Sequence, residues 1–425
     1  MQKDDLLRLM RDPNLLSSEK QTLLSYIAAQ AAAMDMPCYI VGGFVRDLLL
    51  GKPINDLDVI VEGDAIKFGK TLVKKFGGKL TTHDKFHTAI WHLPPTFDPS
   101  AGSGQRLQPS TLDLITARKE TYQHPGALPT IQPSMIDDDL HRRDFTVNAM
   151  AVRLDGDHFG ELLDPLNGQA DLEKGIIRVL HPRSFIDDPT RIFRAIRYEA
   201  RYSFNLEPST LNSINPEALA VITRLSGERI RHELDLIFEE ENSSRMILRA
   251  GSLGVFERIH PDLPMFDPAY SDFLDMDPIL DISASRIAIG YMLWLMDLME
   301  AEIMSIAERL NFTSDLTYSV WAVSQLKKSL PFLVDSKPSV WTYALEKLPE
   351  LSIYIVYLVS REKALLDYLS IWRHVKPHTT GNDLKERGLS SGPRFGEVLS
   401  QLRAAWLDGE VKNAEEEKEL LNTLL

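Results

Sequence analysis

The segment Val41–Val61, VGGFVRDLLLGKPINDLDVIV, constrains this chain more than any other. The apolar run Cys38–Val41 at its start has the length and composition of a buried strand. Gly42-Gly43 then permit a tight turn and close backbone approach to a ligand. Phe44–Leu50 reads as a helix whose first-turn N–H groups can face a phosphate. Leu57, Val59 and Val61 alternate with Asp58 and Ile60, the period of a second strand. On such a strand Asp56 and Asp58 share a face, so two hard oxygen ligands converge on one spot. That donor set suits Mg²⁺, which takes carboxylates together with substrate phosphates. Strand, turn, helix and strand in this order point to a metal-dependent phosphoryl or nucleotidyl transfer site. A P-loop is excluded, because Gly51-Lys52 is followed by Pro53 and the residue five before Gly51 is Arg46.

Further blocks lie downstream. In DLHRRDFTVNAMA (Asp139–Ala151), Arg142 and Arg143 offer guanidinium forks for triphosphate oxygens. Asp144 and Asn148 add an acceptor and an amide, and Phe145, Val147 and Met150 can pack beneath. Taken alone, Arg-Arg-Asp also fits a surface salt-bridge cluster. In DPLNGQADLEKGIIRVL (Asp164–Leu180), Asp164, Gly168 and Asp171 fit turn and cap roles. DDPTRIFRAIRYEARYSF (Asp187–Phe204) reads as a helix on which Asp188 and Arg191, three apart, share a face. A carboxylate beside a guanidinium can meet the hydrogen-bonding edge of a nucleobase; an intrahelical ion pair is the ordinary alternative. Arg194 and Arg197 continue a basic stripe that either meets phosphate or is neutralised by neighbouring acids. Leu112–Arg118, LDLITAR, is an apolar strand carrying Asp113. The stretch after it, KETYQHPGALPTIQPSMIDDDL, is rich in turn formers and reads as a mobile loop. Pro94–Pro109 has linker composition.

In their order these blocks resemble the signature of the nucleotidyltransferase superfamily, and specifically its class II tRNA nucleotidyltransferases and bacterial poly(A) polymerases. The resemblance spans Tyr39–Glu240. It implies an α+β fold, with an N-terminal α/β head built on a small mixed sheet and then an all-helical neck, body and tail. The implied boundaries are 1–153, 154–243, 244–340 and 341–425, the last binding tRNA. Asp56 and Asp58 are implied as catalytic ligands of two Mg²⁺ ions, with Asp113 as a supporting third carboxylate. Gly42, Gly43, Arg46, Arg142, Arg143, Asp144, Asn148, Arg194 and Arg197 are implied to hold the nucleotide. Asp188 and Arg191 are implied to act as a protein template that reads CTP and ATP. Most family members carry Glu-Asp where this chain has Asp187-Asp188, a change that shortens one arm and keeps its charge. The implied reaction is attack by an RNA 3′-hydroxyl on the α-phosphate of a nucleoside triphosphate, releasing pyrophosphate. The implied substrate is tRNA and the product its CCA terminus. Enzymes that add only A or only CC, or that make poly(A), share these blocks. A non-catalytic RNA-binding protein and a transferase acting on a small molecule or a protein are the readings outside that chemistry.

At 425 residues the chain is long enough for more than one core. A net charge of −14 argues against wholesale coating of nucleic acid, which is held largely by phosphate contacts, and is compatible with one local basic cleft. Arg224, Arg229 and Arg231 around LSGERIRHEL either line such a cleft or pair with Glu228 and Glu233, with Ser226 as a helix N-cap. The single cysteine, Cys38, rules out an internal disulfide and fits a reducing cytosol. Ile289–Met299 is too short to span a bilayer and contains Asp297, so the expectation is a cytoplasmic protein with no membrane and no obligate protein partner. From Asp187 onward helical spacing dominates, over Ile230–Glu239, Ala284–Arg309, Tyr318–Leu326, Tyr343–Leu348 and Leu351–Tyr368. Pro331, Pro338, Pro377 and Gly381 punctuate it. His260-Pro261-Asp262 lacks the spacing of a metal phosphohydrolase, and no phosphatase activity is expected.

Overall fold

The structure, a computed structural model, describes residues 3–54, 57–94, 111–274, 285–390 and 392–425. By internal contacts the chain divides into two compact units, Met1–Leu225 and Ser226–Leu425.

The first unit opens with helices α1 (Lys3–Met10) and α2 (Ser18–Ala33). The head then runs β1 (Cys38–Val41), α3 (Gly43–Leu49), β2 (Asp58–Val61), α4 (Ala65–Phe76), β3 (Lys79–His83), β4 (Thr88–His92) and β5 (Thr111–Thr116). It continues through β6 (Arg118–Thr121), β7 (Thr130–Pro133), α5 (Ile136–His141), β8 (Ala151–Arg153) and β9 (Leu162–Leu163). The described residues form a seven-stranded sheet in the order β3-β4-β5-β2-β1-β8-β9. Only the β2/β5 pair in it is parallel, so the sheet is mixed, as expected.

Burial explains the layering. All four residues of β1 are buried, and Val59, Ile60 and Val61 of β2 are fully enclosed. Helix α4 buries Ala65, Phe68, Gly69 and Leu72, the i, i+3, i+4, i+7 stripe of a helix laid on a sheet. Its Asp64 cap accepts from Lys67 N–H. A Cβ on Gly69 would stand 2.8 Å from Leu80 Cδ1, so the glycine lets helix and sheet approach. On the opposite face Tyr39, Val41, Ile60, Ala117 and Ala151 pack against Ile136 and Leu140 of α5. Asp171 ties the head to the segment beyond it, accepting from Thr146 Oγ1 at 2.7 Å and from Arg178 Nε at 2.9 Å.

The rest of this unit comprises α6 (Gly168–Glu173), β10 (Ile176–Ile177), α7 (Ser184–Asp187), α8 (Thr190–Tyr202), β11 (Asn205–Leu206), α9 (Pro208–Asn212) and α10 (Pro216–Ile222). Asp164 receives the N–H groups of Gly168 and Gln169 at the start of α6, the cap role expected of it.

The described residues of the second unit are helical with connecting loops. Its first helix, α11 (Gly227–Phe238), is capped by Ser226, which accepts from Arg229 N–H. Phe238 packs edge-on against Tyr291, whose hydroxyl donates to Asp235 at 2.9 Å. At the C-terminal end Leu384, Val398, Leu402 and Leu421 form a separate apolar cluster. Two stretches that read as continuous helical periodicity are in fact broken. Ala284–Arg309 resolves, over its described residues, into Arg286–Leu295 and Glu300–Leu310, where Glu302 receives the Met299 N–H and starts a new helix. Leu351–Tyr368 breaks at Arg361, which adopts φ of 59° between Glu350–Ser360 and Lys363–Ser370. No helix among the described residues is long and apolar enough to cross a membrane.

Candidate active site

The parallel pairing of β2 with β5 sets Asp58 directly opposite Asp113. Residues paired across neighbouring strands project from the same face, so both carboxylates leave the sheet together. Asp58 is half-buried and Asp113 is exposed. Asp56, the other member of the Asp-x-Asp pair, lies outside the described residues, as does the tract 95–110. Among the described residues no group of three or more potential ligands is assembled around a metal position. The donor chemistry of Asp58 and Asp113, two hard carboxylates on one face, nonetheless fits a divalent cation.

Gly42 follows β1 with φ of 63°, and its N–H donates to Met150 O at 3.1 Å. A Cβ built there would lie 2.6 Å from Arg143 Nη1. The glycine is thus required both by backbone conformation and by the arginine seated on it. Gly42→Ala is expected to lower stability by about 1–3 kcal/mol and to weaken nucleotide binding by displacing Arg143. Urea denaturation and ATP titration of the variant check both.

The two adjacent arginines are held by residues that the sequence did not mark. Asp139, fully buried in α5, takes Arg142 Nε and Nη2 on Oδ1 at 2.9 and 2.8 Å, and Arg143 Nη2 on Oδ2 at 3.0 Å. Glu120 on β6 takes Arg142 Nη1 at 2.9 Å, Arg118 Nη2 at 3.1 Å and the hydroxyl of Tyr122 at 3.2 Å. Burial, reinforced by the neighbouring Arg142, holds the Arg118 pKa below its usual value even beside Glu120. These carboxylates fix the arginines in place, which favours recognition of phosphate without a reorganisation cost. Glu120 sits on a hairpin, β6–β7, in a stretch expected to be a mobile loop. The pairing of Arg118–Thr121 with Thr130–Pro133 orders it, and Gly126 N–H at its tip donates to Asp187 O at 3.1 Å.

Asp144, Asn148, Arg194 and Arg46 come together. Asp144 Oδ1 accepts from Phe145 N–H at 2.8 Å and from Asn148 Nδ2 at 3.0 Å, and Oδ2 accepts from Arg194 Nε at 2.7 Å. Burial pushes the Asp144 pKa up, but Arg194, Asn148 and Arg191 outweigh it and hold the carboxyl below the usual range. Arg46, only 5% exposed, donates to Asn148 Oδ1 at 2.6 Å and to both oxygens of Asp47. Its guanidinium also lies 4.6 Å from the ring centre of Tyr202. Gly43 opens α3, and Arg197 is buried within α8.

Asp188 and Arg191 do not share a helical face. Helix α7 ends at Asp187, and Asp188 is extended (φ −137°, ψ 97°) ahead of Pro189 and α8. The proline explains this, because its ring disfavours helical geometry in the residue before it. Asp188 Oδ1 accepts from Thr190 Oγ1 at 2.7 Å, while Arg191 donates to Ser184 Oγ at 2.7 Å and to Arg142 O at 2.8 Å. Arg191 therefore ties the helix to the Arg-Arg-Asp block directly.

In the second unit His260 Nε2 lies 2.9 Å from Ser305 Oγ, and Asp262 Oδ2 lies 3.8 Å from His260 Nδ1. This imitates a hydrolase triad, but Nδ1 accepts the Asp262 backbone N–H, leaving the proton on Nε2. A base already protonated toward the serine cannot activate it.

Residues 38–178 match the family model described as the poly A polymerase head domain, and 203–266 match that of the probable RNA and SrmB-binding site of polymerase A. The A-adding tRNA nucleotidyltransferase of Halalkalibacterium halodurans is 32% identical over 97% of this chain and 94% of its own length. That of Geobacter sulfurreducens is 35% identical over 90% of this chain, which spans 44% of that longer protein. The Thermotoga maritima CCA-adding enzyme complexed with tRNA superposes with a TM-score of 0.77 at 28% identity, covering 99% of this chain and 98% of that one. This chain belongs to the tRNA nucleotidyltransferase family.

Proposed function

We propose that this chain builds the CCA terminus of tRNA from CTP and ATP, without a nucleic-acid template. The observation that carries the chemistry is the register placing Asp58 opposite Asp113 on one face of the sheet. The 3′-hydroxyl of the RNA gives its proton to water or to a carboxylate of this face, its oxygen bonds to the α-phosphorus, the bond from that phosphorus to the bridging oxygen breaks, and pyrophosphate leaves. Asp56 and Asp58 would hold Mg²⁺, with Asp113 supporting them. When bound, the metal supplies activation of the hydroxyl and neutralisation of charge on the phosphates. Arg142 and Arg143, pre-set by Asp139 and Glu120, take the triphosphate, and the turn at Gly42-Gly43 lets backbone approach it. Asp144 and Asn148 set the sugar, with Arg46, Arg194 and Arg197 behind them. Asp188 and Arg191 choose the base. In this reading residues 1–153 are the catalytic head, 154–243 the neck, 244–340 the body and 341–425 the tRNA-binding tail. The protein works in the cytoplasm, alongside its substrate.

A narrower reading, addition of the terminal adenosine alone, is favoured by the name of the relatives aligned over 90% and 97% of this chain. Transcripts of tRNA ending before CCA, after the first C and after CC, each offered CTP, ATP or both with Mg²⁺, separate the two. Ordered growth to CCA and a stop is the expected outcome. Extension of the CC-ended transcript only would establish the narrower reading, and long A tracts would contradict both.

A further inference from the structure

We propose that Tyr198 is a positioning residue for nucleobase choice, which locks helix α8 against the nucleotide-holding block. The inference rests on the nucleotidyl transfer reading above. The residues form a closed circuit. Arg46 donates to Asn148 Oδ1 at 2.6 Å, Asn148 donates to Asp144 Oδ1 at 3.0 Å, and Arg194 donates to Asp144 Oδ2 at 2.7 Å. Arg194 Nη2 also donates to the Tyr198 hydroxyl at 3.0 Å. The Arg46 guanidinium, 5.4 Å from the centre of the Tyr198 ring, closes the loop. Phe145 meets the same ring edge-on at 5.7 Å, and Arg194 and Arg201 lie 5.5 and 6.0 Å from its centre. Three elements, α3, the Arg142–Asn148 block and α8, are thus joined through one side chain.

The geometry gives this joint a consequence for the base-selecting residues. Arg191, Arg194 and Tyr198 stand at i, i+3 and i+7 on α8 and so share a face. Arg191, two turns before Tyr198, holds the Arg142 carbonyl at 2.8 Å. Any roll or slide of α8 about the Tyr198 contact shifts Arg191, and with it the approach of Asp188. An aromatic face also suits the position electrostatically. It attracts guanidinium groups through its quadrupole without adding formal negative charge.

The test uses the full chain with Mg²⁺ and no RNA, and compares dissociation constants for ATP and GTP in the wild type, Tyr198→Leu and Tyr198→Phe. The leucine variant is expected to narrow the ATP preference roughly tenfold, the scale of a partly desolvated cation–π contact. The phenylalanine variant keeps the ring and is expected to stay within about threefold of the wild type. A leucine variant with a lower melting temperature but the wild-type preference would show a merely structural role and overturn the proposal. Equal loss in both variants would overturn the role of the ring face. Incorporation into CC-ended tRNA by the wild type, measured on the same preparation, judges the transfer reading separately.

Discussion

Replacing Asp58 with alanine is expected to reduce nucleotide incorporation by about a thousandfold or more while the head stays folded. The size follows from the several kcal/mol of charge stabilisation that a metal-bound phosphoryl centre supplies, at 1.36 kcal/mol for each tenfold in rate. Retention of the fold follows from the sheet. Asp58 is the first residue of β2 and half-buried, so its removal leaves the enclosed Val59, Ile60 and Val61 untouched. The variant should therefore keep the fold of the head. Circular dichroism and a single-turnover assay on CC-ended tRNA check the two halves. Full activity would remove Asp58 from the metal-holding set, and an unfolded variant would mean that its role is in the sheet.

The second large effect is expected at Asp144. This carboxylate is 7% exposed and bonded to Phe145 N–H, Asn148 and Arg194. Asp144→Ala takes the acceptor from the buried Phe145 N–H and Asn148 amide and one partner from the partly exposed Arg194, at a cost of about 2 kcal/mol. For a unit of this size that corresponds to a melting temperature lower by roughly 4–8 °C. The pH dependence has a definite sign. The folded pKa of Asp144 is depressed, so the unfolded chain binds its proton more readily. The stabilisation is complete above the unfolded carboxylate pKa of about 3.9 and is lost as pH falls through the lower folded value. Asp144→Asn should thus flatten the acid side of the stability profile and change little in its slope above pH 5. Thermal melts from pH 3 to 8 test this, and an unchanged acid limb would contradict the assignment.

Much of the head could be read from side-chain order alone, because the information is local. The alternation of Val59 and Val61 with Asp58 specifies strand and face together. The paired glycines mark a turn that the φ of Gly42 and the seat of Arg143 both require. The α+β division, a small mixed sheet followed by helices, was implied instead by the family resemblance, and the seven-stranded mixed sheet and the helical elements after it agree. Asp139 and Glu120 could not be read, because nothing in DDDLHRR shows which of its three acids is buried, and Glu120 reaches Arg142 only through the packing of a hairpin on α5. Tyr198 and Tyr202, four apart on α8, look like ordinary packing residues until α3 brings Arg46 across them.

The errors have equally local causes. Spacing of three suggested a shared helical face for Asp188 and Arg191, but Pro189 forces Asp188 out of the helix. The stretch following LDLITAR carries Pro and Gly, yet four residues on either side of its turn pair as strands. Apolar periodicity over Ala284–Arg309 was real, but a single backbone-to-Glu302 bond at Met299 suffices to restart the helix. In the first and third cases one local ring or bond outweighed a periodic pattern.

The central claim is transfer of a nucleotidyl group, and its most direct measurement is stoichiometry. The wild-type chain would be given CC-ended tRNA, ATP labelled at the α-phosphate and Mg²⁺, with incorporated AMP and released pyrophosphate counted in the same reaction. One pyrophosphate for each adenylate joined to the RNA, with both lost in Asp58→Ala, is the predicted result. ATP consumed to ADP and phosphate, or ATP bound with no pyrophosphate released, would contradict it.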